Sequence, residues 1–259
     1  MTTGKISLEV RDKVARVTIE DSIRFNAMSL SMWEDLRDQF ISISHDSSLR
    51  ACLIRGAGEK SFVSGANISE FEEQRSSEVS VKRYNSAVDD ACSAITNSPV
   101  PVVAAIKGVC FGGGLGLALC CDLRYGSLDA RFRMPAAKLG LGYGLKSMKT
   151  FLKTISPHQA SEAFFTAKIY SAEEAVSLGI LNSAVEDVFE YSEEIIEKIK
   201  ENAPLTIRSA KKAIRALISQ DLPAQEDVER DVDRCFYSQD YQEGRAAFRE
   251  KRPPKFLGN

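Results

Sequence analysis

The sequence predicts an α/β fold built on a mostly parallel sheet and closed by a helical tail, and three observations carry that prediction. Short β-prone runs alternate with stretches of helical periodicity through most of the chain. The interior runs 51–54 and 102–106 are apolar throughout rather than alternating, which suits strands covered on both faces. After Tyr191 the pattern is helical almost to the end. Alternating strands and helices imply right-handed crossovers and parallel pairing.

The chain opens with two β-prone runs, 6–10 and 14–19, separated by Arg11, Asp12 and Lys13, a polar connection of hairpin length. From Leu30 the apolar positions Trp33, Leu36, Phe40 and Ile43 recur at helical spacing behind Ser29 or Ser31 as N-cap. The strand 51–54 follows. Val81, Tyr84, Val88, Cys92 and Ile95 mark a second helix, which ends before Pro99 because the residue preceding a proline disfavours the α conformation. The strand 102–106 leads into a glycine run, an apolar helix over 115–120 and a strand over 122–125. Ser171-Ala172-Glu173-Glu174 has the form of a capping box, and Gly179 is placed to end the short helix it starts. Beyond Tyr191 come Ile195, Ile196 and Ile199, then Pro204 at a first turn with Ile207, Ala210, Ile214 and Leu217, then a helical stretch over 228–237. The expected division is a core over residues 1–200 and a helical oligomerisation region over 201–259, since a thin appendage with apolar positions is not fully buried by one subunit.

With 259 residues, 44% of them hydrophobic and 27% charged, the chain is long enough for one large core and is expected to be neither disordered nor of low complexity. A formal net charge of -2 without any block of like charges offers no footprint for nucleic acid or for an anionic membrane surface. No basic region followed by an apolar run opens the chain, and no stretch is apolar enough to span a bilayer, so the expected location is the cytoplasm. Cys52, Cys92, Cys110, Cys120, Cys121 and Cys235 show neither CxxC pairing nor zinc-like spacing. They read as small core residues in a reducing compartment, and no metal is expected. His45 and His158 lie far apart in turn-like surroundings, without the orienting carboxylate or nucleophile elbow that a serine hydrolase needs.

Two segments carry chemistry: Ser64-Gly65-Ala66-Asn67-Ile68 after a strand, and the glycine-rich run 108–116 between a strand and a helix. Both put small residues where the backbone itself can face a ligand. A glycine run that opens a helix exposes unpaired N–H groups and the positive end of the helix dipole, which suits an anion or a developing oxyanion. The same pattern also serves a tight turn with close helix–strand contact. A dinucleotide loop is excluded because Leu117 stands where G-x-G-x-x-G would need glycine, and no G-x-x-x-x-G-K-[ST] is present.

The ordered series formed by Arg24-Phe25-Asn26-Ala27-Met28, the Ser64 segment, the glycine run ending in Cys121-Asp122, Pro135-Ala136-Ala137-Lys138-Leu139-Gly140, the segment Phe165-Thr166-Ala167 through Gly179, and the tail from Asp240 to Lys251-Arg252-Pro253 resembles the crotonase (enoyl-CoA hydratase/isomerase) family across nearly the whole chain. That resemblance implies a crotonase-like spiral of repeated ββα units with a C-terminal helical appendage. It implies an acyl-coenzyme A substrate, no further cofactor, and a homotrimer or a dimer of trimers. The thioester oxygen would sit between the backbone N–H groups of Ala66 and Gly113. Arg24, Ser64, Ala66 and Ile68 would lie along the coenzyme A, with Phe248, Lys251 and Phe256 approaching a coenzyme A on a neighbouring subunit, although a plain solvated helix accounts equally for Lys251.

The chain departs from that family at the two glutamates with which hydratases hold and activate water: their positions are Gly116 and Ala136 here. Neither residue can transfer a proton, so three outcomes stay open: hydration or double-bond shift with another acid or base, decarboxylation, and acyl-CoA binding without catalysis. Tyr143 is the leading alternative group, since the run 137–144 resembles the segment of methylmalonyl-CoA decarboxylase that ends in its active-site tyrosine. That enzyme has glutamate at Gly116 and histidine at Ala66, so the likeness is partial. Tyr143 also reads as a loop residue covering core surface, and Glu70, Glu73 and Lys146 as further ionisable candidates or surface charges.

Overall fold

The computed structural model describes residues 4–70, 77–219 and 222–259. In chain order it runs β1 (Lys5–Arg11), β2 (Val14–Glu20), α1 (Leu30–His45), β3 (Ala51–Gly56), β4 (Ser61–Val63), α2 (Glu78–Asn97), β5 (Val102–Ile106), β6 (Val109–Phe111) and α3 (Gly113–Ala118). There follow β7 (Leu123–Ser127), β8 (Arg131–Arg133), α4 (Leu145–Leu152), α5 (Pro157–Thr166), β9 (Ile169–Ser171), α6 (Ala172–Ser177) and β10 (Ser183–Val185). The tail comprises α7 (Val188–Glu201), α8 (Pro204–Ser219), α9 (Leu222–Phe236) and α10 (Gln239–Glu250).

β1 and β2 form the expected hairpin, with Asp12 and Lys13 turning the corner at φ 53° and 62° as tight hairpin turns require. A six-stranded sheet in the order β1-β2-β3-β5-β7-β10 is parallel after this hairpin, and β4-β6-β8-β9 form a second, four-stranded sheet. The chain thus gives one strand to the large sheet and the next to the small one before a helix returns it, and this repetition is the spiral of ββα units. The all-apolar strands are explained by burial on both faces. Cys52, Ile54, Val102, Ala104 and Ile106 join the main core, while Ala51, Leu53, Val103 and Ala105 pack with Val188 and Ile196 of α7 on the other face. α1 is capped by Ser29, whose hydroxyl accepts from the Met32 N–H at 3.2 Å, and it buries Trp33, Leu36, Phe40 and Ile43 in one stripe.

The tail is pinned to its own core by polar contacts. Lys211 of α8, only 8% exposed, donates to the Val100 carbonyl at 2.7 Å and to Asp122 at 2.6 Å, which explains the aspartate of the Cys121-Asp122 pair as a structural anchor. Burial pulls the Lys211 ammonium below its ordinary pKa, and the Asp122 carboxylate opposes that shift. Asp240, also buried, accepts from the N–H groups of Leu257 and Gly258 at 2.6 and 2.9 Å and so folds the C-terminus back. Leu217, Tyr237 and Phe248 remain exposed on the tail.

Candidate active site

The motif 24–28 is the frame for the first chemical loop. Met28 donates its N–H to the Gly65 carbonyl at 2.8 Å and accepts from the Asn67 N–H at 2.9 Å, a parallel bridge centred on Ala66. In such a bridge the flanking residues use their groups on the partner, so the N–H of Ala66 itself points to the opposite side. Gly65 has φ +124°, a conformation side-chain-bearing residues rarely adopt, and this angle lets the loop turn there. Ser64 donates its hydroxyl to the Arg24 carbonyl at 3.0 Å and its N–H to that of Phe25 at 3.1 Å. Asn26, buried and held at φ 57°, accepts from the Asp21 N–H at 3.0 Å and donates to the carbonyls of Ala57 and Ser61 at 3.0 and 2.7 Å. Asn26→Ala is therefore expected to destabilise the fold by about 2 kcal/mol in urea unfolding, by stranding those buried groups; an unchanged midpoint would refute the framing role.

The second loop comes from the glycine run. Gly112, at φ +52° and ψ −116°, donates to the Arg133 carbonyl at 2.9 Å and turns the chain into α3. The first bond of the helical ladder is Gly116 N–H to the Gly112 carbonyl at 3.0 Å, so the N–H groups of Gly113, Gly114 and Leu115 lie ahead of it. The helix therefore starts at the glycines, earlier than the expected 115, because the turn at Gly112 already aims the chain along the helix axis. A Cβ placed on Gly112 would lie 4.0 Å from the Gly65 Cα, so the two loops touch; one on Gly113 would lie 3.2 Å from the Trp33 ring. Ala66 and Gly113 thereby line one cleft of about 540 Å³.

Trp33 and Tyr84 form the cleft's fixed end beside Gly113: the indole N–H donates to the Tyr84 oxygen at 3.1 Å, and the Tyr84 hydroxyl donates to the Met28 carbonyl at 3.4 Å. Val88 and Cys92 of α2 continue one wall, and Leu141, Tyr143 and Phe151 form the other. Tyr143 packs edge-on against Phe164 and Phe151, with ring centroids 5.0 and 6.4 Å away. Gly116 and Ala136 both line the cleft, and a Cβ at Gly116 would meet nothing within 4 Å. A longer side chain at 116 would project into open space. Among the described residues the cleft holds a single carboxylate, Asp89, 3.6 Å from the Lys146 ammonium.

The other expected residues fall as follows. The Arg24 guanidinium pairs with Asp21 at 3.2 Å, outside the cleft lining, while its carbonyl holds Ser64. Phe248 and Lys251 stand at the C-terminal end of α10, away from this chain's own cleft. Glu70 accepts from the Asn67 amide at 2.9 Å and the Leu30 N–H at 3.3 Å, bracing the first loop against α1. Glu73 and the side chain of Ile68 lie outside the described residues. His45 ends α1 and His158 faces the Ser156 hydroxyl at 3.1 Å; neither lines the cleft.

Asp89 and the cysteine pair were not legible as site residues. Cys52, Cys110, Cys120 and Cys121 are core residues as expected, with Cys120 also lining the cleft; Cys92, half-buried, lines it too, and Cys235 is half-buried outside the core clusters. Cys120 donates to the Gly116 carbonyl at 3.3 Å. A hydrogen bond from Cys92, reinforced by Thr96 against the cost of burial, draws the Cys120 thiol below its ordinary value, and the same contact raises Cys92. Cys120 sits in an apolar stretch and Cys92 between Asp90 and Ser93, and neither setting marks a cleft position; the signal for α2 was the spacing of Tyr84, Val88 and Cys92 on one face.

With this geometry in hand, residues 9–259 match a family model described as enoyl-CoA hydratase/isomerase. The chain is 32% identical over 255 residues to the short-chain-enoyl-CoA hydratase of Clostridium acetobutylicum, covering 97% of each chain. It is 29% identical over 260 residues to the crotonyl-CoA hydratase of Syntrophomonas wolfei, covering 99% of each. Its structure is similar, at a TM-score of 0.93 and 33% identity, to the crystal structure of an enoyl-CoA hydratase/carnithine racemase from Magnetospirillum magneticum, covering 100% of this chain and 97% of that one.

Proposed function

Because the chain belongs to the enoyl-CoA hydratase/isomerase family, we propose that it binds an acyl-coenzyme A thioester with the carbonyl oxygen between the N–H groups of Ala66 and Gly113, and stabilises the enolate formed when charge moves onto that oxygen. The observation that carries this reading is the contact of two glycine-bearing loops over one cleft, each presenting a backbone amide that its own secondary structure does not consume. Donors fixed by the fold need no reorganisation when charge develops, which lowers the barrier to any step passing through an enolate. Calorimetric titration with butyryl-CoA tests it: saturable binding is expected, and absence of heat at millimolar ligand would overturn it.

Gly116 and Ala136 supply no proton, so addition of water or a double-bond shift must draw its acid and base from Asp89 or Tyr143 across the cleft. A second reading, decarboxylation of a malonyl-type thioester, is favoured by Tyr143 on the cleft wall. Loss of carbon dioxide leaves the electron pair on the α-carbon as the enolate and needs no base, and a phenol there serves to orient the departing carboxylate. Tyr143→Phe is expected to lower malonyl-type turnover about a hundredfold with binding little changed. An unaltered rate would remove that reading, and binding without product from crotonyl-, malonyl- and hydroxyacyl-CoA would mark a non-catalytic acyl-CoA binder. Arg24, Ser64 and Ile68 are assigned to the coenzyme A side. Phe248 and Lys251 are assigned to a neighbouring subunit's coenzyme A in a trimer or dimer of trimers, an assembly that a monomer mass in light scattering would contradict.

A further inference from the structure

The cleft continues beyond its acyl walls. Away from the loops of Ala66 and Gly113, it is bordered by Thr96, Asn97 and Lys153, and these residues also line a second cavity of about 660 Å³ enclosed by the ends of α2 and α4 and by α8 and α9. The direction of the cleft follows from α2, whose residues Tyr84, Val88, Cys92 and Thr96 succeed one another along one face. At a rise of about 1.5 Å per residue, Thr96 lies about 18 Å along the axis from Tyr84. Along α3 and the turn that follows it the order is the same: Gly113 is next to Trp33, and Cys120 is next to Cys92 and Thr96.

The second cavity is strongly basic. Lys153, Arg208, Lys211, Lys212, Arg215 and Arg234 line it, against Asp231 as the single lining carboxylate among the described residues. Most of these cations are already answered. Lys211 is bound by Asp122 at 2.6 Å, Lys212 by Asp231 at 2.7 Å, and Arg208 donates to the carbonyls of Ser47 and Leu49 at 3.0 Å each, while Arg234 lies 3.9 Å from Asp231. Lys153 and Arg215 differ: among the described residues neither has a carboxylate within ion-pair range, and Arg215 is held by the Asn97 side-chain oxygen. Burial lowers the pKa of both; for Lys153 the nearby charges of Lys149 and Arg215 lower it further, and the charge of Asp122 only partly offsets the shift at Arg215. A hydrocarbon terminus reaching this junction would press apolar carbon against the exposed Lys153 and the half-buried Arg215 and strip water from both charges, which is unfavourable.

We propose that the acyl group taken up by this cleft ends in a carboxylate, and that Lys153 and Arg215 bind it where the two cavities meet, with Asn97 positioning the guanidinium. This rests on the acyl-CoA reading above. A carboxylate would complete two charge-assisted contacts in a partly desolvated place, where such pairs are strong and where truncating one partner is costly. The competing source of negative charge is the coenzyme A nucleotide itself, whose phosphates two cations would also attract.

Dodecanedioyl-CoA and dodecanoyl-CoA have the same chain length, long enough to approach the junction from the loops of Ala66 and Gly113, and differ only in a terminal carboxylate or methyl, so calorimetric titration of the full chain with each isolates the group in question. The wild type is expected to bind dodecanedioyl-CoA about tenfold or more tightly than dodecanoyl-CoA. Lys153→Met and Arg215→Met should erase most of that preference while leaving dodecanoyl-CoA affinity and the melting temperature nearly unchanged, and Lys153→Arg should retain it. Because Arg215 also holds Asn97, Lys153→Met is the variant that keeps the test independent of folding. Equal affinity of the wild type for both thioesters overturns the carboxylate site alone. An equal loss for dodecanedioyl-CoA, dodecanoyl-CoA and free coenzyme A in Lys153→Met also overturns it, assigning the cations to the phosphates. If neither thioester binds at all, the acyl-CoA reading falls with it.

Discussion

Ala66→Pro is expected to lower turnover of the chain's acyl-CoA substrate by about a hundredfold to a thousandfold while the fold remains standing. Proline has no N–H, so the substitution deletes one of the two donors proposed to face the thioester oxygen. The local ladder survives it, because the bridge to Met28 is made by the Gly65 carbonyl and the Asn67 N–H and uses neither polar group of Ala66. A donor that acts only on developing charge should affect turnover far more than affinity. The decisive comparison is therefore the rate and the dissociation constant of a non-reactive acyl-CoA, measured beside a thermal melt. A rate within a few-fold of the wild type, on a protein that melts normally, would mean that Ala66 is not an oxyanion donor.

Gly114→Ala should have the largest effect on stability, about 4 kcal/mol or more, and should leave little folded protein at physiological temperature. A Cβ there would lie 2.4 Å from the Val63 carbonyl oxygen and 2.7 Å from the Val63 Cβ, where α3 sits directly on β4. Backbone cannot yield as a flexible side-chain tip can, so either the helix or the strand must move, and the two loops of the site with them. Gly116→Ala, two residues along the same helix, is the matched control. Its Cβ meets nothing within 4 Å, and alanine in a helix interior is expected to stabilise by about 0.5–1 kcal/mol. Chemical denaturation of the two variants should therefore move in opposite directions, and similar destabilisation of both would show that helix–strand contact does not limit this site.

The glycine run was legible as a place where backbone approaches something closely, but its glycines look alike in sequence. Their different duties emerge only against their neighbours: Gly112 turns the chain, Gly114 admits β4 and Gly116 opens onto the cleft. The strands of the small sheet escaped notice for a related reason. β4, β6, β8 and β9 have three residues each, too few for a period to register, and they are strands because neighbouring strands pair with them. Asn26 belonged to a recognised motif, yet its role as a triple hydrogen-bonded brace depends on Ala57 and Ser61, brought beside it by the fold.

By itself the sequence determined the opening hairpin, the alternation of helices with the inner strands of the large sheet, the capping box of α6, the two loops and the absence of proton-transferring side chains at Gly116 and Ala136, because each of these is written in local spacing and residue type. Only the tertiary structure decided which ionisable groups share the cleft with those loops. Asp89, Cys92, Cys120, Tyr143 and Lys153 come from separate parts of the chain, and Arg215 from the tail that closes the neighbouring cavity. Whether such a side chain faces solvent, core or cavity depends on what packs against its helix, a property of long-range contacts that no local pattern encodes.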